Sequence, residues 1–353
     1  MSRFRVGLSA DFMKADGTPA FPSFDLRRLD DDARIDWAYI PVTDGRMAAA
    51  DMDGLDALIL LAAHFDADSF PDNDRLSLIA RFGVGYDTVD VDACNRNNVA
   101  LVITPNGVRR PVAVAILTFI LALSGKLLDK DRITRQGPDG WKHRADFMGH
   151  GLVGRTLGSI GAGNIGAEMF RLASPLGLKF IAHDPYADPD VVAELGIELV
   201  GLEDVFRSAD YLTINCPLTE DTTGLVNAER LGLMKPSAHL INTARGPIVD
   251  QAALYEALTS RTIAGAGLDV FEQEPNEMDD PLFQLDNVIV TPHALCWTDQ
   301  CFAGIGADDI AAVKAVMQGE QPVGIVNHAI TDNPDWLEKL RAYGGAVSTQ
   351  TDG

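Results

Sequence analysis

Short apolar segments rich in β-branched residues alternate with helical patterns along nearly the whole chain. In the N-terminal part the predicted strands are FRVGLS, DALILLA, LIARFGV and VALVIT. A second series begins at Thr156 with TLGSIGAG and continues through KFIAHD, YLTINC, HLINTA, GAGLDV and NVIVTPH. Such alternation is typical of parallel sheets covered by helices. The pattern predicts an α/β protein with two doubly wound parallel-sheet domains and a cleft between them.

The two series of strands also set the predicted domain boundaries. Residues 1–106 and 299–330 form one domain, because DDIAAVKAVMQGE and the following PVGIVN return the chain to the first series. Residues 107–298 form the other domain, whose six strands suffice for a complete dinucleotide-binding unit. Residues 331–353 are predicted to be a C-terminal tail, and the polar end GGAVSTQTDG is predicted to be disordered.

Composition narrows the class of protein. The chain has 353 residues, of which 46% are apolar and 23% charged, and its net charge of −22 disfavours a nucleic-acid partner. Four cysteines in a chain of this length do not indicate a disulfide framework. The N-terminal segment has no signal-peptide core, and the apolar run VAVAILTFILAL from Val112 is too short to span a bilayer. We therefore expect a cytoplasmic protein with no membrane partner, in which the apolar run forms a buried helix.

A glycine-rich turn follows the first strand of the second series. Gly161, Gly163 and Gly166 form a G-x-G-x-x-G pattern between a strand and a helix, which is the context in which this pattern binds a dinucleotide. The glycines allow a tight turn and close approach of a pyrophosphate, the N-terminus of the following helix supplies N–H groups, and Asn164 within the motif is a candidate cofactor contact. Asp184 ends the next strand, where a carboxylate binds ribose hydroxyls and repels a 2′-phosphate. The motif predicts NAD rather than NADP; the alternative is a structural turn with a capping aspartate.

Three further motifs lie at predicted carboxyl ends of strands, where open α/β sheets bind ligands. INTARGPIVD carries Arg245, LDVFEQEP carries Asp269 and Glu274, and TPHALCW carries His293. Together with CPLTEDTTGLVN and RFGVGYDTVD, these motifs resemble the D-isomer-specific 2-hydroxyacid dehydrogenases over residues 55–327. The resemblance implies a Rossmann NAD domain and a flavodoxin-like substrate domain. It also implies hydride transfer between NAD and a small D-2-hydroxy acid or its 2-keto acid.

The resemblance assigns three catalytic residues. His293 would act as general acid and base, Glu274 would favour its imidazolium form, and Arg245 would bind the substrate carboxylate and carbonyl. Each residue also has a structural interpretation: an ion-paired arginine, a glutamate at a helix start, and a packed histidine. Their joint occurrence favours the catalytic interpretation. No metal is expected, because His293, Cys296 and Cys301 lack a fourth ligand.

The resemblance also implies further ligand contacts. On the cofactor side these are Ile165, Cys216, Pro217, Thr222, Thr243, Ala244, Arg245, Asp269 and His293. On the substrate side they are His64, Val84, Gly85, Arg245 and Trp297. The backbone of Val84 and Gly85 would receive the substrate carboxylate, whereas Trp297 is equally well interpreted as a core residue. The loop LAAHFDADSF contains no arginine, which disfavours a phosphorylated substrate.

Two other functions are compatible with the same motifs. Relatives with this arginine, glutamate and histidine oxidise an inorganic oxyanion such as phosphite. Others are NAD(H)-sensing corepressors, which bind partner proteins and show little turnover. The resemblance further implies a homodimer, in which the segment GWKHRADFMGHGLVGRTLG crosses to a partner subunit that buries Trp141 and Phe147.

Overall fold

The computed structural model describes residues 3–348, which fold into two compact units. Unit 1 comprises Met1–Val108 and Thr298–Gly353, and unit 2 comprises Arg109–Trp297. Each unit contains one parallel sheet with helices between its strands. The boundaries inferred from the strand pattern differ from these by two residues at the first crossing and by one at the second.

Regular structure covers most of the described chain. The strands are β1 (Phe4–Ser9), β2 (Ile35–Ile40), β3 (Ala57–Leu60), β4 (Leu78–Arg81), β5 (Ala100–Ile103), β6 (Thr156–Ile160), β7 (Lys179–His183), β8 (Glu198–Leu199), β9 (Tyr211–Ile214), β10 (His239–Asn242), β11 (Gly265–Leu268) and β12 (Val288–Val290). The α-helices are α1 (Arg27–Asp30), α2 (Val91–Arg96), α3 (Pro105–Gly125), α4 (Leu127–Thr134), α5 (Pro138–Lys142), α6 (Asn164–Ala173), α7 (Pro189–Leu195), α8 (Leu202–Ser208), α9 (Ala228–Leu233), α10 (Gln251–Thr259), α11 (Asp299–Met317) and α12 (Pro334–Ser348). Short 3-10 turns occur at Ala10–Phe12, Ala49–Met52, Ala67–Ser69, Ser174–Leu176, Gly246–Ile248, Pro281–Gln284 and His328–Asp332.

The sheet of unit 1 has five parallel strands in the order β2-β1-β3-β4-β5. This is the flavodoxin-like order of doubly wound sheets, as predicted. The sequence pattern identifies four of the strands and misses β2, which lies at the edge and fully buries only Ile35 and Ile40. An edge strand with exposed polar positions such as Asp36 carries little of the continuous apolar signal that marks a central strand.

The sheet of unit 2 has seven parallel strands in the order β12-β11-β10-β9-β6-β7-β8. The six predicted strands are all present, and the unpredicted β8 has only two residues, both exposed. Strand order reverses between β6 and β9, the point outside which such sheets bind ligands. Leu240 and Ile241, neighbours on β10, are buried in two different core clusters because successive side chains of a strand point to opposite faces.

Helix α3 differs from its prediction in length and in burial. It has 21 residues, and by length and composition alone it is long enough and apolar enough to cross a membrane, with 44% of that stretch buried in the protein. The apolar run itself has the predicted length, and the helix is longer because it begins at Pro105, before Val112. The buried-helix prediction holds for one face: Phe119 and Ile120 are buried, whereas Val114 and Leu121 are each 49% exposed.

The C-terminal segment 331–353 is not simply a tail, because it contains α12. The Trp336 side chain is fully buried, and its indole N–H donates to the Ser77 carbonyl at 3.0 Å. The Tyr343 hydroxyl donates to the Asp56 carboxylate at 2.9 Å. These contacts fix the helix to unit 1 and correct the prediction of disorder for the part of GGAVSTQTDG that α12 includes. The residues that follow α12 lie outside the described part of the chain.

Candidate active site

The glycine turn joins β6 to α6. Gly161 has φ 96°, and a Cβ on it would lie 2.6 Å from the Asn215 carbonyl oxygen, so only glycine fits the turn. A Cβ on Gly166 would lie 2.5 Å from the Gly161 carbonyl oxygen, so this glycine lets α6 pack close to the strand. Gly163 is different, because nothing lies within 4 Å of the position its Cβ would take. Its bare backbone at the start of α6 therefore leaves room for a ligand, as a pyrophosphate requires.

Two predicted cofactor residues lie in the first turn of α6. Asn164 opens the helix directly after Gly163. Ile165 packs against the buried cluster that contains Met169 and Phe170, so its side chain anchors the helix to the sheet. The dipole of a helix favours a bound anion at this N-terminal turn.

Asp184 follows β7 and ties two turns together. One of its carboxylate oxygens accepts from the Ala162 N–H and the other from the Tyr186 N–H, each at 2.8 Å. Asp184 therefore does stabilise the turns by accepting backbone hydrogen bonds, which is the structural role considered in the sequence analysis. A carboxylate has about four acceptor sites, so the partly exposed Asp184 retains capacity for ribose hydroxyls.

The loop after β9 carries Cys216, Pro217 and Thr222. The Thr222 hydroxyl donates to the Pro217 carbonyl at 2.7 Å and accepts from the Thr219 N–H at 2.7 Å, which closes the loop into a compact turn. Burial raises the pKa of the Cys216 thiol to about 11. The thiol is therefore neutral at physiological pH and is suited to packing rather than to nucleophilic chemistry.

The loop after β10 presents Thr243, Ala244 and Arg245. Asn242, at the end of the strand, accepts from the Ala244 N–H at 3.0 Å and donates from its side chain to the Arg245 carbonyl at 2.9 Å. The Arg245 guanidinium donates to the Ala244 carbonyl at 2.7 Å. The Thr243 hydroxyl oxygen is buried and has no hydrogen-bond partner within residues 3–348. A polar ligand at this strand end would supply the hydrogen-bond partner that the buried hydroxyl lacks.

Gly246 joins the arginine loop to the loop that carries Glu274. A Cβ on Gly246 would overlap the Phe271 carbonyl group, so the two backbones are in direct contact. The sequence pattern gave no signal for this contact, because it depends on which loops meet in space. Arg245 and the segment that follows Phe271 therefore hold fixed positions relative to each other.

Glu274 and His293 form a hydrogen-bonded pair. The His293 Nδ1 lies 2.7 Å from one carboxylate oxygen of Glu274, and the other oxygen accepts from the Phe271 N–H at 2.9 Å. Burial acts to raise the pKa of Glu274, but these two hydrogen bonds and the charges of His293 and Arg245 outweigh it and lower the pKa below its ordinary value. The His293 side chain is 44% exposed, so it is neither packed in a core nor closed to a ligand.

Asp269 organises the loop on which His293 stands. Its side chain is buried and accepts from the Thr291 hydroxyl at 2.6 Å and from the N–H groups of Ala294 and Leu295 at 3.0 and 3.2 Å. These bonds bracket His293, whose φ of 54° is rare for a residue with a side chain. Sequence reasoning missed this supporting role, and the predicted contact of Asp269 with the cofactor stays a prediction.

The predicted substrate residues of unit 1 lie in loops after β3 and β4. His64 is exposed, and its backbone donates to the Gly45 carbonyl at 2.8 Å and accepts from the Met47 N–H at 3.0 Å. Val84 and Gly85 follow β4, and within residues 3–348 their N–H groups donate to no acceptor. Unsatisfied N–H groups on a loop are suited to an anionic ligand.

Trp297 is the remaining candidate for substrate contact near His293, and Cys296 and Cys301 are the residues considered as metal ligands. Trp297 is 52% exposed, which does not fit the core interpretation. In the described part of the chain the four cysteines form no disulfide. The part of the chain that the structure describes contains no group of three or more His, Cys, Asp and Glu side chains placed to hold a metal ion.

Comparison with known proteins defines the class. Residues 117–294 match the family model described as D-isomer specific 2-hydroxyacid dehydrogenase, NAD binding domain. A glyoxylate reductase from Korarchaeum cryptofilum is 38% identical over 282 residues, which cover 78% of this chain and 83% of that protein. A D-3-phosphoglycerate dehydrogenase from Mycobacterium bovis is 35% identical over 330 residues, which cover 91% of this chain but only 61% of that protein.

Solved structures agree with the sequence comparison. The TT0316 protein from Thermus thermophilus has a TM-score of 0.78 and 29% identity, over 91% of this chain and 99% of that one. The holo form of Rhodotorula graminis D-mandelate dehydrogenase has a TM-score of 0.79 and 25% identity, over 92% of this chain and 98% of that one.

The chain therefore belongs to the D-isomer-specific 2-hydroxyacid dehydrogenase family, as its motifs indicated. Residues 117–294 of unit 2 match the NAD-binding domain, and the open backbone at Gly163 and the unsatisfied Thr243 hydroxyl fit that cofactor. The protein is an NAD-dependent oxidoreductase that interconverts 2-hydroxy acids and 2-keto acids. The predictions of fold class, family and cofactor are confirmed, and the roles of individual site residues stay predictions.

Proposed function

We propose that this enzyme interconverts a small D-2-hydroxy acid and its 2-keto acid with His293, Glu274 and Arg245 as its catalytic residues. The observation that supports this most is the 2.7 Å pair of His293 and Glu274, because it gives a proton-exchanging imidazole a fixed anionic partner. NAD, when bound, supplies or accepts the hydride. The protein then has to exchange one proton and stabilise charge on the substrate.

His293 exchanges that proton through Nε2. Its Nδ1 is engaged by Glu274, so Nε2 is the ring nitrogen left for the substrate oxygen. In keto-acid reduction the imidazolium donates the proton, and in the reverse reaction the neutral ring accepts it. Because the pKa of Glu274 is lowered, its carboxylate is ionised at working pH and stabilises the imidazolium.

Arg245 binds the substrate carboxylate and polarises its carbonyl. Its guanidinium is planar and permanently charged, which suits two-pronged binding of a carboxylate. Asn242 fixes the arginine backbone, so the side chain starts from a defined position. The dinucleotide is held by the glycine turn, the first turn of α6, Asp184 and the loops after β9 and β10.

The Asp184 carboxylate is expected to make NAD(H) the preferred cofactor over NADP(H). It lies at the end of β7, where it would accept from ribose hydroxyls and repel a 2′-phosphate. Asp184→Ala should weaken NADH binding by roughly ten-fold, the effect of losing a charge-assisted hydrogen bond, and reduce the preference for NADH. Fluorescence titration with NADH and NADPH measures both effects. A wild-type enzyme that binds NADPH as well as NADH would contradict this role.

Glu274→Gln is expected to shift the pH dependence of keto-acid reduction downwards. Glutamine keeps the shape of the side chain but removes the negative charge that favours imidazolium. As pH rises, the variant should lose its reductive activity at lower pH than the wild type, because the neutral amide no longer favours the imidazolium. Oxidation of the hydroxy acid should persist to correspondingly lower pH. Rate profiles of kcat/KM in both directions test this, and coincident profiles would exclude the proposed coupling.

The substrate class is tested by a panel of 2-keto acids with NADH. The relatives are named for glyoxylate, 3-phosphoglycerate and mandelate, so a panel has to span small, phosphorylated and aromatic side groups. Steady-state kcat/KM for glyoxylate, pyruvate, hydroxypyruvate, 3-phosphohydroxypyruvate and phenylpyruvate provides that range. We expect reduction of at least one member, and failure with all of them would overturn the proposed function.

We also propose that the enzyme is a homodimer. Trp141 on α5 is 59% exposed, and Met148 and Val153 in the same segment are 73% and 86% exposed. Apolar side chains this exposed in one stretch indicate a surface that a partner covers. Light scattering at micromolar concentration should give twice the chain mass of 38.0 kDa. Trp141→Ala should shift the equilibrium towards monomer, and a monomeric wild type would rule the proposal out.

A cytoplasmic location completes the proposal. The four cysteines form no disulfide in the described part of the chain, which suits a reducing compartment, and a nicotinamide-dependent enzyme needs access to the cellular cofactor pool.

A further inference from the structure

Five phenylalanine rings gather at the carboxyl end of the unit 1 sheet. Phe12, Phe24 and Phe82 form the buried part, with 3%, 6% and 3% of their surfaces exposed. The ring centroid of Phe82 lies 4.9 Å from that of Phe12 and 5.0 Å from that of Phe24. Phe82 directly follows β4, so this cluster adjoins the loop that carries Val84 and Gly85.

Two further rings extend this cluster outwards. Phe21 and Phe302 are partly exposed, and they stack with centroids 4.1 Å apart and planes inclined by 26°. Phe82 lies nearly parallel to both, 6.1 Å from Phe21 and 6.0 Å from Phe302. The three rings form an aromatic wall, defined here as Phe21, Phe82 and Phe302.

The backbone holds the two outer rings of the aromatic wall in place. The Ala20 N–H donates to the Phe12 carbonyl at 2.8 Å, and the Phe24 N–H donates to the Phe21 carbonyl at 3.0 Å, which ties the loop to the end of β1. Phe302 lies in the first turn of α11, and its N–H donates to the Thr298 carbonyl at 3.1 Å. The aromatic wall is therefore built on fixed backbone positions.

The Asp11 carboxylate is bound to the loop that carries His64. One carboxylate oxygen of Asp11 accepts from the N–H groups of Ala62 and Ala63 at 2.9 and 3.0 Å, beside His64. Its other oxygen is buried without a hydrogen-bond partner in the described part of the chain.

We propose that Phe21 and Phe302 determine substrate specificity, selecting 2-keto acids with a bulky apolar or aromatic side group. This inference rests on the proposed function and on the predicted contact of the substrate carboxylate with the backbone of Val84 and Gly85. Phe82 is two residues before Val84 in the chain and lies nearly parallel to Phe21 and Phe302, so the aromatic wall adjoins the loop that carries Val84 and Gly85. An aromatic side group packs its ring against the aromatic wall, whereas glyoxylate has no atom to place there.

The test compares kcat/KM for phenylpyruvate and glyoxylate with NADH in the full-length enzyme. The wild type should favour phenylpyruvate by about ten-fold or more, the scale of discrimination that an apolar pocket provides. Phe302→Ala and Phe21→Ala should each lower phenylpyruvate turnover by about ten-fold and leave glyoxylate turnover little changed. If the alanine variant does not fold, Phe302→Leu replaces it, because leucine keeps an apolar side chain but has no ring. This variant should lower the ratio of phenylpyruvate to glyoxylate kcat/KM in the same way.

A matched control is Tyr39→Ala. Tyr39 and Trp37 form another partly buried aromatic pair in unit 1, with ring centroids 5.6 Å apart, but they lie on the edge strand β2. This variant should leave the substrate ratio unchanged, and NADH binding reports whether each variant is folded.

The outcomes separate this inference from the proposed function. A wild type that reduces glyoxylate or 3-phosphohydroxypyruvate best overturns the specificity assignment and leaves the proposed function intact. If the ratio of kcat/KM for phenylpyruvate to that for glyoxylate is unchanged in the Phe302 and Phe21 variants, the specificity assignment is likewise overturned and the proposed function stands. Absence of turnover with every keto acid overturns both.

Discussion

Replacing His293 by alanine is expected to lower kcat for keto-acid reduction by about 10²- to 10⁴-fold, the usual contribution of a general acid. The methyl group cannot deliver the proton that the substrate oxygen needs as hydride arrives. NADH binding should change little, because the glycine turn and Asp184, which we propose hold the dinucleotide, lie on other loops. Stopped-flow single turnover measures the chemical step, and fluorescence titration measures binding.

The control for His293 is His143→Ala. His143 also forms a histidine–carboxylate pair, with Asp146 at 3.1 Å, but its side chain is 65% exposed and lies in the segment proposed to meet a partner subunit, so light scattering has to show that the variant assembles as the wild type does. This variant should retain wild-type turnover. If His293→Ala kept most of its activity, or if both variants lost activity equally, His293 would not be the proton donor.

Arg245→Lys is expected to reduce kcat/KM by about 10²- to 10³-fold, as loss of a donor to a developing oxyanion does. Lysine keeps the positive charge but cannot present two parallel N–H groups to a carboxylate. Both KM and kcat should therefore deteriorate, because the substrate is bound less tightly and its carbonyl is polarised less.

Arg230→Lys provides the matched comparison. The Arg230 guanidinium is also partly buried in unit 2 and donates to a backbone carbonyl, that of Leu225, at 2.7 Å. A loss of kcat/KM shared by the two lysine variants would indicate general damage to the domain. A loss restricted to the Arg245 variant supports direct binding of substrate. Added guanidinium should partly rescue an Arg245→Ala enzyme if the missing group acts on the substrate itself.

Much of the fold is predictable because buried parallel strands leave a strong signal. Every central strand of both sheets is a short apolar run, since both faces are covered by helices. The missed strands β2 and β8 lie at sheet edges, where one side is open and the apolar run is broken or very short. Helix α12 was missed because its glycines and polar residues suggest disorder, while Trp336 and Tyr343 bind it to unit 1.

The sequence identified the residues of the candidate site, but it did not reveal the hydrogen bonds that hold them in position. Motif order identified His293 and Glu274, and the structure places them 2.7 Å apart. The scaffold that orients them was not visible in the sequence. Asp269 holds the histidine loop across 22 to 26 positions of sequence, and no short motif encodes such bonds. Which distant loops touch depends on the order of the strands in the sheet, so these contacts are known only once the structure is known.

The close contact between Gly246 and the Phe271 carbonyl limits how this enzyme can be redesigned. The loop that carries Arg245 and the loop that carries Glu274 are in contact at this point, and the contact leaves no room for an added methyl group. A library that diversifies residues around Arg245 to accept a new substrate would therefore also displace Glu274, and with it the histidine. If the proposed role of Phe21 and Phe302 holds, changes of specificity are more accessible through these residues of unit 1, which are separate from the loops of Arg245 and Glu274.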